Sequence, residues 1–572
     1  MRKQNKKVIF WVDYLGWSSF WKIVSLLRGF NNFTLYHYRK ASPFLKHLLR
    51  FISSNSTIEP LSYSLGNMKT KEGLCLRYQV ESNTIEFIDN MVSKIIRGNN
   101  LFNKLNRFPK DKLLLYLKQK WGPQITEAMS LFNIIDYYYR NDSNVASVQN
   151  IMVSKSGDIL NFCLFKKDLP LTIVDYWNLD RFSFQRFDAR VILGFLGQVI
   201  NLFVIFPKPK QKDSLPKIGM ASTQSVDINK RSVLFWLPHS SIERKRFVLY
   251  FEDTNRPLSK EQSKLLDEYG INWLVLRKGA SLLGKKNLWQ MPRLNVSLVY
   301  KYIRDFFTIT KGLFSRGGYF KLLQWHSLVE LLVQVYYYEV FFRDTNIRIL
   351  WNMEDTGHCQ GVRAIALELA KGISVSTHCS NYPKRALGIA RPYDVFFVWN
   401  RMHTELFREC KSCFNHVVQC GFIYDCYFDK AKEKAEPLRK ELHSRGVSFI
   451  VGFMDNIYSN DYAYSKEALL GIYQALLNLT ISDDRIGLIL KPKRLKDSIG
   501  KINELDSLVK TATETGRCLI LDKINLDCFS VEAGLACDFA IGLGISSTTV
   551  ENGLAGVKVA DYDTTGNYKH VV

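Results

Sequence analysis

The sequence predicts an α/β chain: mostly parallel sheets covered on both faces, arranged as two tandem units behind an accessory domain. Three observations carry this. From residue 231 onward, short apolar, β-branched or aromatic runs alternate with amphipathic segments, the pattern of strands crossing over through helices. The pattern pauses near 421–425, where a Gly-containing turn and a charged helical stretch intervene, and then restarts. A chain of 572 residues is also too long for one core, so two or three domains are expected.

The elements follow in order. Residues 7–14 read as a strand, a helix runs through Leu27, and 33–38 read as a second strand. Long helical patterns occupy about 84–139. The polar, basic stretch 208–214 (KPKQKDS) reads as a linker. Residues 1–215 are therefore taken as an accessory domain, α/β or mostly helical. In the first regular unit, 216–425, strands are expected at 233–237, 247–251, 271–276, 347–352, 373–377, 395–399 and 417–420. Helices are expected at 260–269, 361–371 and 401–410. In the second, 426–572, strands fall at 449–453, 486–490, 518–521, 539–541 and 557–560. Helices fall at 464–479, at 497–514 and from about 549.

Composition narrows the class. The 47% hydrophobic and 23% charged residues are ordinary for a packed protein. A net charge of +24, from 78 Lys and Arg against 54 Asp and Glu, favours anionic partners such as phosphorylated substrates or an anionic leaflet. Nucleic acid is not expected, since there is no zinc-finger spacing, aromatic RNA-binding motif or long basic run. The high aromatic content, 13%, often sits beside cations, as in Phe20-Trp21-Lys22, which suits peripheral membrane contact. The basic N-terminus lacks an unbroken apolar run and is not a signal peptide. The apolar run 191–206 is too short and too polar to span a bilayer. Eleven scattered cysteines read as core thiols in a reducing compartment, the Cys410/Cys413/Cys420/Cys426 cluster included. The expected location is cytoplasmic, at the inner face of the membrane.

Two segments carry candidate chemistry. In 538–556 (DFAIGLGISSTTVENGLAG) an apolar strand runs into a small-residue turn and then a helix start. Free N–H groups and the helix dipole make such a turn an anion site. Ser546, Ser547 and Thr548 add hydroxyl donors, Gly542 and Gly544 allow close backbone approach, and Glu551 is placed to accept from ribose hydroxyls. A simple cap by Ser547 or Thr548, completed by Glu551, is the plain alternative. In 488–494 (LILKPKR), Lys491, Lys493 and Arg494 follow a strand of the same unit and can neutralise a departing phosphate. On the other unit, Glu354, Asp355 and His358 follow the strand 347–352. There a carboxylate or imidazole can take an acceptor's proton, or Asp355 can simply cap a helix. His239 and His378 also stand at strand ends.

The order Gly421-x-x-x-Asp425, Asp455-Asn456, Lys491-Pro-Lys493, Gly544-x-Ser-Ser-Thr-x-x-Glu551 and Asp561-Tyr-Asp563 resembles bacterial surface carbohydrate biosynthesis proteins of capsule and O-antigen clusters. These have the GT-B layout of two facing Rossmann-like domains. The resemblance implies a glycosyltransferase taking a nucleotide-sugar donor and a glycan or lipid-linked acceptor. It implies no metal and no other cofactor, with Lys491 and Lys493 at the donor phosphate, 546–548 as the phosphate turn and Glu551 at the ribose. Two departures stand out. Kdo and glycerol-phosphate transferases carry His-Pro where this chain has Lys491-Pro492. The chain also ends soon after Asp563, where GT-B enzymes continue with a helix crossing back, so that element is expected to be absent or cut off. An isomerase of the nucleotide-sugar 2-epimerase type and a catalytically silent polysaccharide-assembly protein are the alternatives.

Overall fold

A computed structural model describes residues 7–98, 105–154, 169–175, 215–222, 240–252, 260–276, 287, 289, 296–313, 319–352, 359–382, 384–495, 498–521 and 528–566, apart from 28–29, 31, 40 and 54–55. The strands 233–237, the linker 208–214, the apolar run 191–206 and His239 lie outside the described residues.

Among the described residues the strands form three sheets, and their ladder pairings are all parallel. The first holds β1 (Lys7–Val12), β2 (Asn32–His37), β3 (Thr57–Pro60), β4 (Gln149–Ser154) and β5 (Leu171–Asp175), in the order β3-β2-β1-β4-β5. The second holds β6 (Lys217–Ser222), β7 (Phe247–Phe251), β8 (Asn272–Val275), β9 (Ile347–Asn352), β10 (Ile373–Thr377), β11 (Val395–Val398) and β12 (His416–Gln419), in the order β12-β11-β10-β9-β6-β7-β8. The third holds β13 (Phe449–Met454), β14 (Ile486–Lys491), β15 (Cys518–Ile520), β16 (Phe539–Leu543) and β17 (Lys558–Tyr562), in the order β15-β14-β13-β16-β17. In every sheet the first strand in sequence is central, the chain winds outward on one side, and then it returns to wind outward on the other. This is the doubly wound Rossmann-like order, and it places a crevice beyond the carboxyl ends of the central strands. The chain is thus an α/β protein with two Rossmann-like units, preceded by a third α/β unit.

The preceding unit does not stand apart. One apolar core runs from Trp11 in β1 through Ile88, Tyr116, Trp121 and Ile135 to Tyr250 and Leu350 of the second sheet. The helices Leu76–Gly98 and Lys110–Asn141 supply its middle, and Tyr116 and Trp121 of the second reach Ser327 of the second unit. The segment 61–78 also reaches the third unit. The Leu65 N–H donates to the Asn460 carbonyl (2.8 Å) and the Cys75 N–H to the Thr565 carbonyl (2.7 Å).

The helix expected over 497–514 begins only at Asp506, after two single 3-10 turns. Gly500 explains part of this: a Cβ there would lie 2.8 Å from the Leu495 carbonyl oxygen, so the chain folds back on itself. The helix Ser530–Leu535 precedes β16 and was not expected. Cys410 is fully buried among Ile389, Phe396 and Phe407, and burial pushes its thiol up to about 12. Among the described residues no helix is long and apolar enough to cross a membrane.

Candidate active site

The carboxyl ends of β14, β13 and β16 lie side by side on one edge of the third sheet. Met454 pairs with Lys491 on one flank and with Gly542 on the other. At about 4.8 Å between neighbouring strands, the backbones of Lys491 and Gly542 are about 10 Å apart. Lys491 is buried and, by the alternation of a strand, shares the sheet face of Ile489, which packs toward the helix Ser530–Leu535. Its positive charge is felt by the Asp455 carboxyl and the Cys528 thiol. Asp455 follows β13. Its Oδ1 accepts from the Lys493 N–H (2.5 Å) and its Oδ2 from the Tyr473 hydroxyl (2.7 Å). Burial raises its pKa, with these bonds and Lys491 opposing the rise. Lys493 donates through Nζ to Asn456 Oδ1 (3.1 Å), so Asp455 and Asn456 hold the basic loop against the end of β13. Arg494 is exposed beside it.

The hydroxyl turn follows β16. Gly544 has φ +65°, a left-handed conformation that favours glycine. Ser546 caps the helix Ser547–Leu554: its Oγ accepts from the Thr549 N–H (3.4 Å) and lies 2.7 Å from Thr548 Oγ1. The cap is therefore Ser546, one residue before the expected Ser547 or Thr548. Thr549 Oγ1 donates to Asp561 Oδ1 (2.6 Å), tying the turn to β17. The two glycines face side chains of this chain. A Cβ at Gly542 would meet Thr549, Asp561 and Ser546, and one at Gly544 would overlap the Tyr464 hydroxyl at 1.6 Å. Tyr464 thus lies directly against Gly544. Glu551 is buried at 2% exposure.

Ser547 crosses to the second unit, where its Oγ accepts from the Asn381 N–H (2.7 Å). Asn381 follows β10 and continues the link: its Oδ1 lies 3.1 Å from His403 Nε2, and His403 Nδ1 lies 2.9 Å from Asn400 Oδ1. His378 is fully buried against Trp399 and His403, with ring centroids 4.3 and 4.2 Å away. Burial, and then the neighbouring His403, hold its pKa well below the ordinary value, so it is neutral. Sequence reasoning did not single out Asn381, Asn400 or His403; an Asn capping position before the helix Arg401–Glu409 was the available signal. Glu354, Asp355 and His358 lie outside the described residues, between the end of β9 at Asn352 and the helix Cys359–Leu369. The Asp561 and Asp563 carboxylates accept from Thr549 and from the N–H and hydroxyl of Thr565 (3.1 and 2.9 Å). Among the described residues no group of three or more His, Cys, Asp or Glu is placed to hold a metal ion.

No family model matches the chain, and no curated protein matches it. Among solved structures, it is similar to Anabaena HepE in complex with UDP and glucose (12% identity, TM-score 0.32, covering 61% of this chain and 80% of that one). It is similar as well to a trehalose 6-phosphate synthase from Burkholderia multivorans (11%, TM-score 0.34, 62% and 85%). A third is a Thermobaculum terrenum O-GlcNAc transferase mutant (14%, TM-score 0.28, 87% and 85%). These scores reflect partial overlap of α/β layers and assign neither family nor substrate.

Proposed function

We propose that the protein is a glycosyltransferase moving a sugar from a nucleotide-activated donor to a growing surface polysaccharide or lipid-linked glycan. One observation supports this most: the parallel order β14-β13-β16 sets the cations of 491–494 and the hydroxyl turn 546–548 on one edge, next to the second unit. In the proposed reaction an acceptor oxygen bonds to the anomeric carbon as the bond from that carbon to the donor phosphate oxygen breaks. The electron pair leaves with the phosphate. Lys491, Lys493, Arg494 and the first N–H groups of the helix Ser547–Leu554 stabilise that charge, so no metal is required. Ser547 accepts from Asn381, which leaves its own proton free to donate to a phosphate oxygen. Glu551 accepts from the ribose. Glu354, Asp355 or His358 takes the acceptor's proton, Glu354 first. The transfer takes place at the cytoplasmic face of the membrane, with the basic surface contacting anionic lipid.

Incubation with UDP-, GDP-, CDP-, CMP- and dTDP-sugars tests this. Nucleotide release dependent on a glycan acceptor, unchanged by EDTA, is the expected result. No release with any donor, in the presence of lipid-linked acceptor, would contradict it. One observation favours a second reading, a catalytically silent assembly protein: the Tyr464 ring already covers Gly544. Tyr464→Ala separates the two, because removing the ring should improve nucleotide binding in a transferase and change nothing in a silent protein.

A further inference from the structure

The first unit turns a second apolar face outward. Two short helices cover one side of its sheet, Trp17–Leu27 after β1 and Pro43–Ile52 after β2. Phe20, Ile23 and Leu27 of the first helix, with Leu45 and Leu49 of the second, fill the core beneath them. A surface helix satisfies its packing with one such stripe, and its remaining surface is normally polar. Here it is not. Trp17 and Trp21 stand one turn apart on the first helix, 46% and 62% exposed. On the second, Phe44, Phe51 and Ile52 are spaced i, i+7 and i+8 and so share one side. Phe44 is 62% exposed and Phe51 89%.

The two stripes form one patch. The Ser42 N–H donates to the Leu15 carbonyl (3.2 Å), which sets the helix starts side by side, and the Trp17 and Phe44 rings are 5.9 Å apart. Large apolar side chains exposed together mark a surface that meets something. The charges beside them say what. Lys22, Lys46 and Arg50 stand on the same two helices, and neither helix contains an aspartate or glutamate. Two copies of the chain meeting face to face here would set these cations against their own counterparts, with no carboxylate from either helix between them. An anionic bilayer surface satisfies both halves of the patch. Trp and Phe rings settle at the boundary of headgroups and acyl chains, while cations on long stems reach the lipid phosphates. The patch also belongs to the folded body. The run 38–42, between β2 and the second helix, holds Arg39 against Asp461 of the third unit (2.7 Å).

We propose that the helices Trp17–Leu27 and Pro43–Ile52 form a docking face that seats on anionic phospholipid, with the Trp21 and Phe51 side chains entering the interface. This gives the membrane contact of the transferase reading its location. It rests on that reading for its purpose only; the docking itself needs no sugar donor.

Co-sedimentation of the full chain with vesicles tests it. The native chain should pellet with vesicles of equal parts phosphatidylcholine and phosphatidylglycerol, and less with phosphatidylcholine alone. Trp21→Ser/Phe51→Ser should lower the partition coefficient at least about fivefold and keep the native thermal midpoint, as both side chains are exposed. Lys46→Glu/Arg50→Glu should lower it comparably on the anionic vesicles, and it carries the comparison if the aromatic variant fails to fold. A chain that never pellets, an aromatic variant that pellets like the native chain, or equal pelleting on both lipids would overturn the proposal. So would a native dimer in sedimentation velocity that Trp21→Ser/Phe51→Ser dissolves, since the patch would then belong to a second copy. Vesicle binding without nucleotide-sugar turnover sinks the transferase reading alone. Turnover onto a soluble acceptor glycan by a chain that does not bind vesicles sinks this one alone.

Discussion

His378 shows what a single residue contributes here. It is neutral in the folded chain because burial opposes its charge, whereas in the unfolded chain it takes up a proton near the ordinary value of 6.5. The unfolded state therefore binds more protons as pH falls, and stability is lost below about pH 6.5 and is fully present above it. Thermal midpoints measured from pH 8 to pH 5 should fall most steeply below 6.5, and His378→Gln should flatten that fall. An unchanged slope would assign the pH dependence to other groups. Gly544 behaves differently. With φ +65° and the Tyr464 hydroxyl at the place of a Cβ, Gly544→Ala should cost about 2–4 kcal/mol in denaturant unfolding, where an exposed substitution costs under about 0.5.

At the scale of elements, the strands of the second and third sheets were readable because each is a short apolar run bounded by turn residues. Ile347–Asn352 and Ile373–Thr377 fall where the pattern puts them. The rim carrying Lys491 and Ser546 was readable for the same reason, since a parallel sheet puts all carboxyl ends on one edge. The contacts of those residues were not readable. That Asn381 reaches Ser547, or that Tyr464 covers Gly544, depends on how loops far apart in sequence meet, and no local periodicity records it. Asp461 is a further case. Burial alone would raise its pKa, but bonds from Arg39, Tyr38 and Tyr63 outweigh it and hold the carboxyl below its usual range. Asp461→Ala leaves those three groups without their shared acceptor. It should lower stability by about 1–3 kcal/mol, an effect that fades as pH falls through the acid range in which Asp461 is protonated.

At the scale of the whole molecule, the described residues form three doubly wound sheets: the two expected units and an accessory domain that is itself α/β. The weak pattern of the first third has a physical reason. Much of its apolar surface lies on two long helices, and Tyr116 and Trp121 of the second of these also reach Ser327 of the second unit. The boundary near 215 separates sheets but not cores. A chain beginning at residue 216 would lose the apolar partners that the two long helices supply to the shared core, and it should lack a cooperative thermal transition. A sharp transition in that fragment would show that the first unit is dispensable for folding.

The proposed transfer depends on the cations after β14 and the turn after β16 meeting one donor phosphate group. Calorimetric affinities of nucleoside diphosphates and their parent nucleosides, for the native chain and Lys491→Met, test this most directly. The expected result is that one diphosphate binds at least about tenfold more tightly than its nucleoside, and that Lys491→Met removes most of that difference, about 1.4 kcal/mol or more. Equal affinity for diphosphate and nucleoside, or a difference untouched by Lys491→Met, would contradict it.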